Sequence, residues 1–222
     1  MNNTKLNKFV LDKTVKYKIP CVITLSGLPG SGKTTCAKVL SKNLKVFIIS
    51  NDFIRHKYMD KEKEIDDKER KKVERKILLL NFKRILNLYF NKSSFVLDKD
   101  ANSIDKFKMF ELLNKLFKYQ MIKIKINSTD DSKNLDRIKN RLNNNISLNE
   151  GVIGDNIDYK HCYSPKTYYE IKSRKPQLLE DDFFDYVITN DGDFETYLSN
   201  LEEICEDILV KKMEKCRWIK IC

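Results

Sequence analysis

No apolar run in this chain approaches the ~20 residues needed to cross a bilayer, so no spanning helix is expected. The start, "MNNTKLNKFVLDKTVKYK", offers one short apolar patch at Phe9 to Leu11 and no small-residue cleavage site, unlike a secretory signal. It holds lysine but no arginine, which argues against a mitochondrial presequence; the expectation is a soluble cytoplasmic protein with no membrane partner. The six cysteines (Cys21, Cys36, Cys162, Cys205, Cys216, Cys222) include no C-x-x-C pair, and neither histidine, His56 or His161, stands beside a set of ligands. That argues against zinc and disulfide frameworks and for reduced thiols. Arginine is scarce as well, with eight among 43 basic residues. The net charge of +11 therefore rests on lysine and reads as coding bias as much as a binding surface. Eleven acidic residues and no basic one lie between Glu180 and Asp207, so the remainder is more basic than the total and can form a basic face.

What is present is enough for one compact domain: 222 residues, 41% of them hydrophobic. "PCVITLS" reads as a buried strand, followed by a glycine loop and then by "KTTCAKVLSKNL", whose Cys36, Ala37, Val39, Leu40 and Leu44 form a helical stripe. "KVFIIS", "SSFVLD", "MIKIKI" and "FFDYVIT" read as further strands. Helices are expected at 66–91, 103–119 and 129–143, then a loose segment through Ser164. The last helix is expected to bury Leu198, Leu201, Ile204, Cys205, Ile208 and Leu209. Strands separated by helices imply parallel pairing with helices on both faces. Lys123 and Lys125 in "MIKIKI" alternate with apolar residues, as if one face of that strand were partly open.

"GLPGSGKT", Gly27 to Thr34, satisfies the phosphate-loop pattern G-x-x-x-x-G-K-[ST], and it follows a strand and opens a helix as that chemistry requires. Glycine lets the backbone wrap closely around phosphate oxygens. The loop N–H groups and the positive end of the next helix then face the anion. Lys33 supplies a point charge to the β- and γ-phosphates, and the Thr34 hydroxyl belongs in a Mg2+ shell. The expected ATP-binding set is Gly27, Gly30, Ser31, Gly32, Lys33, Thr34 and Thr35. The guanine-specific N-K-x-D signature is missing, and an AAA+ or helicase module calls for a longer chain and an arginine finger placed for a neighbour.

Three blocks, "GLPGSGKTT", "ISNDFIRHKY" and "FVLDKDAN", resemble the small P-loop kinases that phosphorylate a hydroxyl, including phage-type polynucleotide 5′-hydroxyl kinase, zeta toxins and adenylylsulfate kinase. The resemblance implies a three-layer α/β P-loop nucleoside-triphosphate hydrolase fold of the kinase type with a helical lid. It divides the chain into an N-terminal extension (1–18), a kinase domain (19–215, lid about 129–163) and a tail (216–222). It also implies that Asp52 is the general base and that Arg55, one helical turn on, orients the acceptor. The plainer role for Asp52 is a helix cap. "DKDAN" leaves Asp98 and Asp100 both open as the carboxylate that orients Mg2+, with Asp98 preferred. Arg137 and Arg141, at i and i+4, fit lid arginines that meet the transferred phosphoryl, or a solvated charged face. The acceptor implied is a nucleic-acid 5′ end. A small-molecule acceptor (adenylylsulfate or a sugar nucleotide) and an ATP-gated interaction module without transferase activity are the other readings.

Overall fold

A computed structural model of the chain describes residues 15–50, 67–100, 104–143, 146–150, 155–159, 168–169, 172–173 and 179–212. In chain order the elements are β1 (Cys21–Gly27), α1 (Lys33–Leu44), β2 (Phe47–Ser50), α2 (Asp67–Phe90), β3 (Phe95–Asp100), α3 (Ile104–Phe117), β4 (Gln120–Asn127), α4 (Asp131–Asn143), β5 (Ile146–Glu150), β6 (Asp155–Tyr159), β7 (Tyr186–Thr189) and α5 (Phe194–Lys211). Five strands form a parallel sheet in the order β2-β3-β1-β4-β7, and β5 and β6 form a separate antiparallel hairpin. The central strand β1 is buried along its whole length, as a strand covered on both faces must be.

The two-residue alternation of the strands divides the apolar residues into two cores. Cys21, Ile23 and Leu25 of β1 face α1 and α5, packing with Cys36, Ala37, Leu40, Leu44, Leu201 and Ile208. Val22, Phe47, Ile49, Phe95 and Leu97 face the other way, against Ile85, Leu88 and Tyr89 of α2 and Phe110 of α3. Each fully buried aliphatic side chain contributes about 1.5–3 kcal/mol, so both faces of the sheet hold helices firmly. This is the three-layer α/β fold the blocks implied. Among the described residues, no helix is long and apolar enough to cross a membrane.

The turns from helix to strand share one device. Lys45, Lys92 and Lys118, which follow α1, α2 and α3, all have left-handed backbones with φ of 55°, 53° and 58°. At α2 the amide of Lys92 donates to Tyr89 O (3.1 Å) and that of Ser93 to Leu88 O (3.0 Å). At α3 the Tyr119 amide donates to Asn114 O (2.8 Å). These bonds close the helix ends and satisfy carbonyls that the helix cannot. The Tyr119 hydroxyl then donates to Leu88 O (2.8 Å), tying the two ends together.

Most expected elements lie where the pattern put them, and the departures have physical causes. Helix α4 starts at Asp131 rather than Thr129 because Asp130 caps it, accepting from the amides of Ser132 (3.0 Å) and Lys133 (3.2 Å). The loose segment contains the β5–β6 hairpin. In α5 the buried positions are Tyr197, Leu201, Cys205 and Ile208, so Leu198, Ile204 and Leu209 flank the stripe instead of leading it. One face of β4 is partly open, as expected, with Lys123 and Lys125 half-buried: Lys123 Nζ lies 3.8 Å from the Phe183 ring centroid, and Lys125 pairs with Asp181 at 2.6 Å. Tyr17, assigned to the extension, is buried in the α1-side core and donates to Leu44 O.

Candidate active site

The loop between β1 and α1 turns by left-handed backbone at Gly30 (φ 81°) and Gly32 (φ 108°), with the Ser31 amide donating to Leu28 O at 3.1 Å. Gly32 is the N-cap of α1; no side chain caps this helix and its first turn holds no acid. The first helical bond runs from Cys36 N to Gly32 O (3.0 Å), so the preceding amides are not spent within the helix. Helix α5, by contrast, is capped in the ordinary way, with Asp193 accepting from Thr196 N (2.8 Å) and Glu195 in the first turn. An uncapped N-terminus with no acid leaves positive potential unneutralised, which suits an anion. Lys33 Nζ lies across the loop, donating to Gly27 O (2.9 Å) and Leu28 O (2.8 Å). The hydroxyls of Ser31 and Ser50, both at the carboxyl edge of the sheet, are buried without a hydrogen-bond partner. Those residues fit the phosphates of ATP: a cationic side chain, amides not spent within the helix and an orphaned hydroxyl gather at one place.

Thr34 Oγ1 lies 3.3 Å from Asp98 Oδ1. The register explains the meeting. Val96 packs in the α1-side core, Leu97 in the opposite one, and Asp98 returns by alternation to the α1 side. Pairing of β1 with β3 skips from Thr24–Leu97 to Leu25–Asp100, so Asp98 lies within the irregularity, without a partner residue on β1. A hydroxyl beside a carboxylate is a hard-oxygen donor set suited to Mg2+. The Asp100 side chain lies outside the described residues, so the structure brings Asp98 to Thr34 and gives no position for its rival. The neighbouring Cys36 thiol is pushed up by burial first, then by Cys205 and Asp98, which keeps it protonated and chemically quiet.

Three side chains hold the carbonyl side of the loop. Arg137 donates through Nη1 to Gly30 O (3.3 Å) and through Nη2 to Asn190 O (3.1 Å) and Asn190 Oδ1 (3.2 Å). Asn190 Nδ2 donates to Ser31 O (2.7 Å), and the Tyr197 hydroxyl donates to Gly32 O (3.1 Å). The approach is close enough to demand glycine. A Cβ on Gly30 would stand 2.7 Å from Asn134 O, and one on Gly32 would stand 2.6 Å from Asn190 Nδ2 and 2.9 Å from the Tyr197 hydroxyl. The sequence pattern marked Arg137 for the lid but missed the contacts of Asn190 and Tyr197. Asn190, directly after the last strand, sits where open α/β sheets place ligand-side residues, and that position was the only signal. Asp52 and Arg55 lie outside the described residues. Arg141 is on α4, with its side chain likewise outside them.

Among solved structures, the chain is similar to a kinase candidate from Chloroflexus aurantiacus, with a TM-score of 0.60, 16% identity, and coverage of 86% of this chain and 97% of that one. It is also similar to Kti12 from Chaetomium thermophilum, solved with ADP-AlF3, with a TM-score of 0.52, 15% identity, and coverage of 84% and 97%. At such identity these likenesses establish the fold. No curated protein matches the chain. The family model described as "AAA domain" (AAA_18) matches residues 23–152, a stretch that holds the glycine loop, Asp98 and Arg137 and ends before Asn190. That match takes in more than half of the chain, and the protein belongs to this AAA domain family.

Proposed function

We propose that the protein is an ATP-dependent kinase that transfers the γ-phosphoryl group to a hydroxyl, with the 5′-hydroxyl of a polynucleotide as acceptor. The observation that carries the reading is the uncapped N-terminus of α1 with Lys33 across it and the Thr34–Asp98 pair beside it. In this reading Lys33 and the loop amides bind the β- and γ-phosphates. Thr34 and Asp98 would hold Mg2+, which would supply charge neutralisation on the phosphate oxygens. Asp52, two residues after the end of β2, takes the proton of the acceptor alcohol. The alcohol oxygen bonds to the γ-phosphorus as the bond to the β,γ-bridging oxygen breaks and ADP leaves. Arg55 grips an acceptor phosphate. Of the arginine pair, Arg141 is left to meet the transferred phosphoryl, because Arg137 is engaged with Gly30 and Asn190.

A polyanionic acceptor is favoured by the first half of α2, which exposes Lys68, Lys71, Lys72, Arg75 and Lys76 soon after the segment bearing Asp52 and Arg55. "DFIRH" favours a second acceptor, adenylylsulfate, whose kinases carry a similar stretch. The two separate in one experiment with γ-labelled ATP and, in parallel, 5′-hydroxyl RNA and DNA oligonucleotides, adenylylsulfate and UDP-sugars. Label is expected on oligonucleotide ends, and Asp52→Asn should abolish it while nearly sparing ATP affinity. Label on a small molecule alone would replace the acceptor. ATP binding without transfer to anything would favour an ATP-gated interaction module.

A further inference from the structure

We infer that Asn190, Tyr197 and Arg137 form a brace that fixes the direction of the loop's peptide groups and thereby sets its affinity for phosphate. The inference rests on the reading of the loop as the ATP phosphate site. A peptide group is planar, with its C=O and the following N–H pointing opposite ways. Holding Ser31 O from behind therefore turns the Gly32 amide forward, and holding Gly32 O does the same for Lys33. The third carbonyl, Gly30 O, shares its plane with the Ser31 amide that closes the turn on Leu28. The brace thus acts on three successive peptide planes at the positions where two glycines give the chain most freedom.

The three donors come from α4, from the end of β7 and from α5, so three separate elements converge on one short turn. Asn190 and Tyr197 are 5% and 2% exposed, and in such surroundings each bond holds more firmly than at a surface. Burial above all pushes the Tyr197 hydroxyl well up, so it remains a donor across the working pH range. Arg137 also holds Asn190, which makes the brace a connected set and not three isolated contacts. A loop aligned before the anion arrives need not be ordered by it, and binding is tighter by that difference. The three are positioning residues: in this structure they touch the loop's carbonyls.

Tyr197→Phe removes one hydroxyl and keeps the ring that fills the space; Asn190→Ala removes the central donor. Calorimetric Kd values for Mg·ATP and for inorganic tripolyphosphate test the brace, with thermal scans of the unliganded proteins alongside. Each variant is expected to bind both ligands about 3- to 10-fold more weakly, the usual effect of one lost hydrogen bond, with the ratio of the two Kd values unchanged. A merely structural role would lower Tm and leave both affinities at wild-type values well below the transition, and that result overturns the brace. Weakening toward ATP alone would make these residues base contacts and overturn it too. If Asn190→Ala does not fold, Tyr197→Phe decides. A wild-type protein that binds neither ligand would instead refute the phosphate-site reading itself.

Discussion

A single carboxylate, that of Asp191, ties together the loops that follow β4 and β7. It accepts from Thr129 N (3.0 Å), Thr129 Oγ1 (2.7 Å) and Ser128 Oγ (2.9 Å), while Lys133 donates to its backbone oxygen. Burial would raise its pKa, but hydrogen bonds from Thr129, Ser128 and Asp130 outweigh burial and hold it at about 2, below the ordinary 3.8. A depressed carboxylate pKa contributes stability that is present above the unfolded value and lost as pH falls through the folded one. Asp191→Ala should therefore lower the urea midpoint at pH 7, and its deficit against wild type should begin to narrow below about pH 4 and continue toward pH 2. A deficit that stays constant across that window would mean the carboxylate's charge is not what matters. The sequence marked Lys33, Thr34 and the glycines as candidates because the phosphate-loop pattern is local, and the structure places them together at the start of α1. The sequence left Asp98 and Asp100 unsettled because the strand irregularity there is a property of pairing with β1, not of the residues themselves.

At the level of elements, the three lysines with left-handed backbone stand where glycine usually closes a helix. A non-glycine residue there costs about 1–2 kcal/mol, partly offset by the greater freedom glycine has when unfolded. Lys118→Gly, at an exposed position after α3, should raise stability by about 0.5–1 kcal/mol, or roughly 1–4 °C in Tm, in a thermal scan. An unchanged or lower Tm would show that the Lys118 side chain contributes more than its backbone costs. Strands β1 to β4 and helices α1 to α3 were legible because their apolar spacing is strong, even though part of the layer covering β1 is α5, from the far end of the chain. The β5–β6 hairpin was not: Ile146 and Leu148 alternate with polar residues and pair with Tyr159 and Ile157, but two apolar residues per strand are too short a pattern to stand out. The stripe of α5 was legible at Leu201, Cys205 and Ile208 but not at Tyr197, whose hydroxyl meets Gly32 O.

For the whole molecule, ligand binding and stability are linked. Mg·ATP at 100 times its Kd should stabilise the fold by about 2.7 kcal/mol, a Tm rise of roughly 5–10 °C for a chain of this size. Lys33→Ala should lose most of that rise in the same scan; an equal rise in both proteins would remove Lys33 from the phosphate site. The loop is also the meeting point of distant parts of the chain: Asn190 reaches Ser31 across 159 positions and Tyr197 reaches Gly32 across 165. On a ribosome the glycine turn emerges early, yet the side chains behind it arrive only after some 160 further residues, a wait on the order of 8–30 s at ordinary elongation rates. On the proposed reading, a nascent chain halted before Asn190 would carry the whole glycine motif without the side chains that hold its carbonyls, and would bind ATP weakly.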